Sequence, residues 1–152
     1  MRIEEEINQT KPFPNPQTKA IVNLNFTASW LSGVQTEILK PYGISIQQYN
    51  ILRILKGMHP KPATVKILIE RMIDKNSNAS RLVDKLLKKG LLERNTCPRD
   101  RRRVDVMVTE AGLEVINVVA RALKKSKTLM RLTNEEAIQL SDLLDKMRST
   151  DT

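Results

Sequence analysis

The stretch from Asn76 to Arg103, NSNASRLVDKLLKKGLLERNTCPRDRRR, constrains this chain more than any other, because an amphipathic helix runs directly into a basic hairpin. On a 3.6-residue repeat Ala79, Leu82, Val83, Leu86 and Leu87 fall on one apolar stripe that must face a core. Ser77, Arg81, Lys85 and Lys88 occupy the opposite face, with Asn78 and Ser80 on its flanks. These side-chain types hydrogen-bond to base edges and phosphates in a major groove. Gly90 follows the last apolar position and supplies the left-handed residue that ends a helix, while Lys88 and Lys89 suit the negative end of its dipole. Beyond Gly90, LLERNTCP and VDVMVT have strand character and flank RDRRR, which predicts a two-stranded hairpin with a charged tip.

Charge gathers on the same third of the sequence. From Arg71 to Arg103 eleven basic residues stand against four acidic ones, a net +7 of the chain's +9. Such a concentration points to a polyanion partner, since neutralising phosphates releases condensed counterions. The plainer alternative is a solvated surface helix. Segregation of the cations to one face, followed by a second basic element, favours the polyanion. Aromatic residues make up only 3%, too few for a platform that stacks single-stranded bases, so duplex is the better target.

With 152 residues, 40% of them hydrophobic, the chain suits one domain. Pro12, Pro14 and Pro16 make residues 1–16 an extended arm. From 17 to 40, Ile21, Leu24, Ala28, Leu31, Val34, Ile38 and Leu39 recur at helical spacing, and KPYG stops the pattern. Ser45 and Gln48 have capping-box spacing for a second helix with Tyr49, Leu52, Ile54 and Leu55 inward. GMHPKPAT is then a loop, and TVKILIERMIDK a short helix with Val65, Leu68, Ile69 and Met72 inward, packed across the helix that starts near Asn76. That pair has helix-turn-helix spacing. TEAGLEVINVVARALKKSKTLM and TNEEAIQLSDLLDKM are two closing helices, the last capped by Thr133 or Asn134. Long helices at both ends of a small chain need burial, and a symmetric dimer would provide it while pairing two reading helices for a pseudo-palindromic operator.

No apolar run is long enough to span a bilayer, and the start of the chain is acidic rather than cationic and apolar, so no membrane partner and a cytoplasmic, nucleoid-associated place are expected. One Cys and one His leave zinc almost no ligands, and no nucleophile set or phosphate-cradling glycine loop is visible, so neither metal, cofactor nor enzyme activity is expected. Cys97 is read as an inert hairpin cysteine rather than an oxidant sensor, and His59 as an exposed loop residue.

The order helix, helix, helix, reading helix, two-stranded wing, long helix, helix resembles the multiple antibiotic resistance regulator (MarR) family. SRLVDKLLKKGLLER from Ser80 to Arg94 carries the resemblance, followed by Asp100, Arg102, Thr109, Glu110 and Gly112 in DRRRVDVMVTEAG, which match the family's Asp-x-Arg wing and Thr-Glu-x-Gly. Ile73 and Asp74 depart from the pattern, standing where the family more often has Gly and an apolar residue, and NSNAS is richer in amides than the common version. The resemblance implies a mainly α fold with a small β-hairpin wing, a winged helix-turn-helix with N- and C-terminal dimerisation helices. Residues 17–152 would form one domain, with 17–40 and 110–149 dimerising and 45–109 as the DNA-binding lobe.

It also implies a homodimeric regulator of transcription, usually a repressor released from double-stranded DNA by a small-molecule effector. An effector-independent DNA-binding protein, an activator, or an RNA-binding winged-helix module are the alternatives. The expected reading set is Asn76, Ser77, Asn78, Ser80, Arg81, Lys85 and Lys88, with Asp84 orienting Arg81 or Lys88. In the wing, Arg102 corresponds to the family's minor-groove arginine and Asp100 steers it, with Arg101 and Arg103 beside them. Phe26, Trp30 and Tyr49 could line an effector cavity between the dimer helices and the reading lobe, or be plain core.

Overall fold

The computed structural model describes residues 1–96, 104–127, 129 and 131–149. A short helix α1 (Ile3–Glu6) precedes a 24-residue helix α2 (Pro16–Leu39) and a 3-10 turn over Lys40–Tyr42. Helices α3 (Ile46–Met58), α4 (Val65–Arg71) and α5 (Ala79–Lys88) follow. A three-stranded antiparallel sheet is built from β1 (Ala63–Thr64), β2 (Leu92–Thr96) and β3 (Val104–Val108), in the order β1-β3-β2. Helices α6 (Glu110–Lys125) and α7 (Asn134–Arg148) close the chain.

The first sixteen residues are not wholly extended. The prolines act only from Pro12 onward, while the acidic run of α1 favours its own helix N-terminus and Ile3 finds a buried place. Lys19 of α2 holds Glu4 at 2.5 Å. Pro16 is already helical, since an absent N–H costs nothing in the first turn, and Asn15 caps it by accepting from the Thr18 amide at 2.7 Å.

The hydrogen bond from Lys19, more than any other influence, keeps the Glu4 carboxyl below its ordinary value. A lowered folded pKa gives a stabilisation that is present above the unfolded value and lost as pH falls through the folded one. Acidification below the usual carboxylate range is therefore expected to free α1. The lone Trp30, which shares a cavity with Ile3, reports it through a red shift of its emission. A Glu4→Gln chain should show the released spectrum at neutral pH, and a wild-type spectrum unchanged through the acid range would contradict the tie.

Ser45 and Gln48 form the expected capping box: the Ser45 hydroxyl accepts from the Gln48 amide at 3.1 Å, and the Gln48 side chain accepts from the Ser45 amide at 2.9 Å. Tyr49, Leu52 and Leu55 face inward together with Ile51, and Ile54 is half-buried against them. Strand β1 lies within what the sequence reads as loop. Two residues are too few to show an alternation, yet they pair with β3 as Ala63↔Val106 and Thr64↔Asp105. Leu68 of α4 and Met72, its C-cap, are buried one turn apart, but Ile69 is 45% exposed rather than inward, because it sits one residue off their row, and Ile67 packs against the core instead.

Thr109 explains why a threonine stands three residues before Gly112. Its hydroxyl donates to the Gly90 carbonyl at 2.7 Å and accepts from the Gly112 amide at 3.1 Å, which caps α6. Its own amide bonds to the Leu91 carbonyl at 3.1 Å. Gly112 then lies so close to the end of α5 that a Cβ there would sit 2.3 Å from the Leu91 carbonyl oxygen and 2.7 Å from Val108.

The core lies among α3, α4, α5, the sheet and α6, with Leu52, Leu55, Leu68, Leu86, Val106 and Val119 fully buried. The outer helices contribute little to it. Leu39 alone of α2 is buried, and α7 has no buried residue. Among the described residues no helix is long and apolar enough to cross a membrane.

Candidate nucleic-acid interface

Helix α5 is built as the stripe requires. Ala79, Val83 and Leu86 are buried and Leu82 and Leu87 pack half-buried, while Ser80, Arg81, Asp84, Lys85 and Lys88 are exposed. The helix begins later than the sequence suggests. Asn78 is its N-cap, with the side-chain oxygen accepting from the Arg81 amide at 3.1 Å, so Asn76, Ser77 and Asn78 precede the helix rather than ride on it. A capping side chain favours the extended backbone before the first turn, and an amide-rich run therefore starts its helix at the last amide.

The turn before α5 is held by side chains. Asn50 of α3 accepts from the Ile73 amide at 2.9 Å, Asp74 accepts from the Asn76 amide at 3.0 Å, and Lys75 donates to the Glu70 carbonyl at 2.5 Å. Ile73 departs from the family's glycine without strain: among the described residues only Asn8 is a non-glycine with positive φ. Sequence reasoning missed Asn50, whose role depends on a contact between α3 and the turn.

The far end of α5 is a complete left-handed cap. Gly90 has φ of 70°, its amide bonds to the Leu87 carbonyl, and the Leu91 amide bonds to the Leu86 carbonyl at 3.1 Å. Asp84 does not orient Arg81 or Lys88. It pairs with Arg94 of β2 at 3.4 Å, because the wing strand leaves Gly90 alongside the outward face of α5. The pair partly neutralises the carboxylate on this cationic face and links helix to wing.

The strands of the wing are paired over their full length, from Leu92↔Val108 to Thr96↔Val104. Its tip, with Cys97, Asp100, Arg101, Arg102 and Arg103, lies outside the described residues. Among the described residues no group of three or more His, Cys, Asp or Glu side chains could hold a metal ion.

Among the described residues Phe26 and Trp30 line one cavity and Tyr49 another. Phe26 and Trp30 line a space of about 370 Å³ with Ile3, Asn23, Thr27 and Arg131. Tyr49 lines a larger one of about 850 Å³ with Leu31, Arg53, Lys56, Ile116 and Lys124. Only the folded arrangement of α2 over α3 and α6 could separate them. Burial pushes the Tyr49 hydroxyl above its ordinary value, against the opposing charge of Arg53. The larger cavity is apolar at Leu31, Leu123 and Ile116 and cationic at Arg53, Lys56 and Lys124, with no acidic residue among the described residues of its lining. Lys56 also donates to the Asn117 side chain at 2.8 Å. The three cations were not singled out in the sequence; Arg53 and Lys56, one turn apart on α3, are the signal that could have found them.

A helix-turn-helix with a cationic outward face, continued by a two-stranded wing, defines a winged helix-turn-helix fold. Residues 44–104 match the MarR family model. The fold is similar to that of a MarR transcription factor from Planctomyces limnophilus, at 28% identity and a TM-score of 0.68, over 89% of this chain and 99% of that one. It is also similar to an organohalide-sensing transcriptional regulator in its 2,4-dichlorophenol-bound form, at 20% identity and a TM-score of 0.78, over 92% of this chain and 86% of that one. A MarR mutant from E. coli complexed with operator DNA is similar at 22% identity and a TM-score of 0.68, over 89% of this chain and 100% of that one. Over residues 44–104 the chain therefore matches the MarR family, and its fold is that of the solved MarR transcription factors.

Proposed function

We propose that the chain is a sequence-specific regulator of transcription that binds a pseudo-palindromic duplex operator as a homodimer, acting as a repressor released by a small organic effector. One observation carries this reading: α5 buries Ala79, Val83 and Leu86 and turns Ser80, Arg81, Lys85 and Lys88 outward together, at the end of a turn pinned by Asn50. Arginine can meet guanine with two hydrogen bonds, while serine and lysine suit phosphates. The operator complex of the E. coli relative supports the choice of duplex DNA. Dimerisation is supported by what α2 and α7 leave exposed, including Ile21, Leu31, Leu140 and Leu143.

For the effector, the cavity of about 850 Å³ between α2, α3 and α6 is the better place, since an apolar floor under Arg53, Lys56 and Lys124 suits an organic anion. The dichlorophenol complex of the organohalide-sensing relative supports an aromatic ligand in that role. Tyr49 stays in the effector set, and Phe26 and Trp30 leave it.

The test is a fluorescence-anisotropy titration against the DNA upstream of the chain's own gene and against scrambled duplex, at two salt concentrations. Sequence-dependent binding with a steep salt slope and two chains per site is the expected result. Arg81→Ala should then cost about 1–3 kcal/mol and relax preference at one operator position. Equal losses on every operator variant would reassign Arg81 to phosphate, and binding indifferent to sequence would defeat the reading as a whole.

A further inference from the structure

Where the long arm α2 meets the reading lobe, the chain makes a 3-10 turn over Lys40–Tyr42 that ends in Gly43, left-handed at φ 65°. The Gly43 carbonyl accepts a hydrogen bond at 2.5 Å from the ammonium of Lys89, 46 residues away. Lys89 is the C-cap of α5. A lysine there would ordinarily rest on the free carbonyls of its own last turn. In α5 three of those carbonyls are already taken, because the amides of Lys89, Gly90 and Leu91 bond to Lys85, Leu87 and Leu86. The cation reaches instead to the root of the arm.

Both ends of this contact are fixed. Leu39 and Ile44, on either side of the turn, are buried in the core, and Leu86 and Leu91, on either side of Lys89, are buried as well. Between them the arm changes direction through four residues, Lys40 to Gly43, of which only Tyr42 is not exposed. Lys89 spans that bend from outside.

We infer that Lys89 is a positioning residue: its bond to Gly43 sets the angle between the dimer arm and the reading helix, and through it the spacing of half-sites that the dimer accepts. The inference rests on the dimeric DNA-binding reading above. Leverage makes the angle matter. A 24-residue helix is about 36 Å long, so a tilt of about 5° at its root moves the far end by about 3 Å, close to the rise of one base pair. A contact that restrains a few degrees therefore chooses among operator spacings.

The experiment begins with duplexes that the wild-type protein selects from a random pool, remade with one base pair added or removed between the half-sites. Dissociation constants are measured at two salt concentrations for wild type, Lys89→Met and Lys89→Arg. Methionine keeps an apolar side chain of similar length and loses the donor; arginine keeps a donor. Wild type should discriminate between spacings, Lys89→Met should narrow that ratio by about fivefold, the factor of one hydrogen bond, and Lys89→Arg should restore it. If Lys89→Met weakens binding equally at all spacings, with a shallower salt slope, Lys89 merely holds a phosphate and the inference is overturned while the regulator reading stands. If wild type selects no duplex with two half-sites, the regulator reading falls and takes the inference with it.

Discussion

Replacing Gly112 by alanine is expected to destabilise the fold by about 3 kcal/mol, read as a fall of about 6–12 °C in the melting temperature followed by circular dichroism. The new Cβ would meet the Leu91 carbonyl oxygen at 2.3 Å, and that carbonyl is already an acceptor for the Thr109 amide. Backbone cannot step aside as a flexible side chain can. Moving Leu91 would pull on Gly90, whose left-handed geometry ends α5, and on the first residue of the wing, Leu92, which is itself buried. The matched control is Gly33→Ala on α2, where nothing lies within 4 Å of the added methyl and the backbone is already helical. That change should stabilise the helix by about 0.5–1 kcal/mol. Equal behaviour of the two variants would refute the close packing of α6 against Leu91.

Leu143→Glu is expected to do more damage to function than any single change on the reading face. Leu140, Leu143 and Met147 follow one row of α7 and are 46%, 65% and 52% exposed in the single chain, and in the homodimer proposed above a second copy buries them. A carboxylate in the middle of that row would be desolvated without a partner on association. Light scattering should then report a particle of 17.4 kDa at micromolar concentration, where wild type gives twice that mass. With one half-site per particle, operator affinity should fall by about 100-fold or more, through loss of the second, tethered binding event. A Leu143→Glu chain that remains dimeric and binds as wild type would place the dimer contact elsewhere. Glu135→Gln, on the same helix but outside this row, should change neither mass nor affinity.

Local patterns made much of this molecule readable before any coordinates. The alternation of Ala79, Val83 and Leu86 with Arg81, Lys85 and Lys88 depends only on helical period, and the Ser45 to Gln48 box and the Gly90 stop depend on bonds within one turn. Features that need a distant partner were not readable. Strand β1 exists because β3 lies beside it, and Asn50 matters because Ile73 passes within 2.9 Å. The pairing of Asp84 with Arg94 needs the wing to turn back along α5, so spacing along the helix directed attention to the wrong cations. Phe26, Trp30 and Tyr49 looked equivalent as aromatics on neighbouring helices, yet the course of α2 assigns them to two cavities. The first helix was hidden by three prolines that begin only after it has ended.

Gly90 and Leu91 accept or donate bonds for α5, for the loop into the wing and for Thr109 at the head of α6. None of those bonds involves Ser80, Arg81, Lys85 or Lys88. The joint that sets the shape of the lobe and the letters that face outward are therefore separate parts of the sequence. On the DNA-binding reading proposed above, a lineage could rewrite those four positions to follow a drifting operator while the folding energy stays nearly constant, since exposed substitutions seldom change stability by more than about 0.5 kcal/mol. Stability constrains Thr109 and Gly112 and leaves those four outward positions free to change.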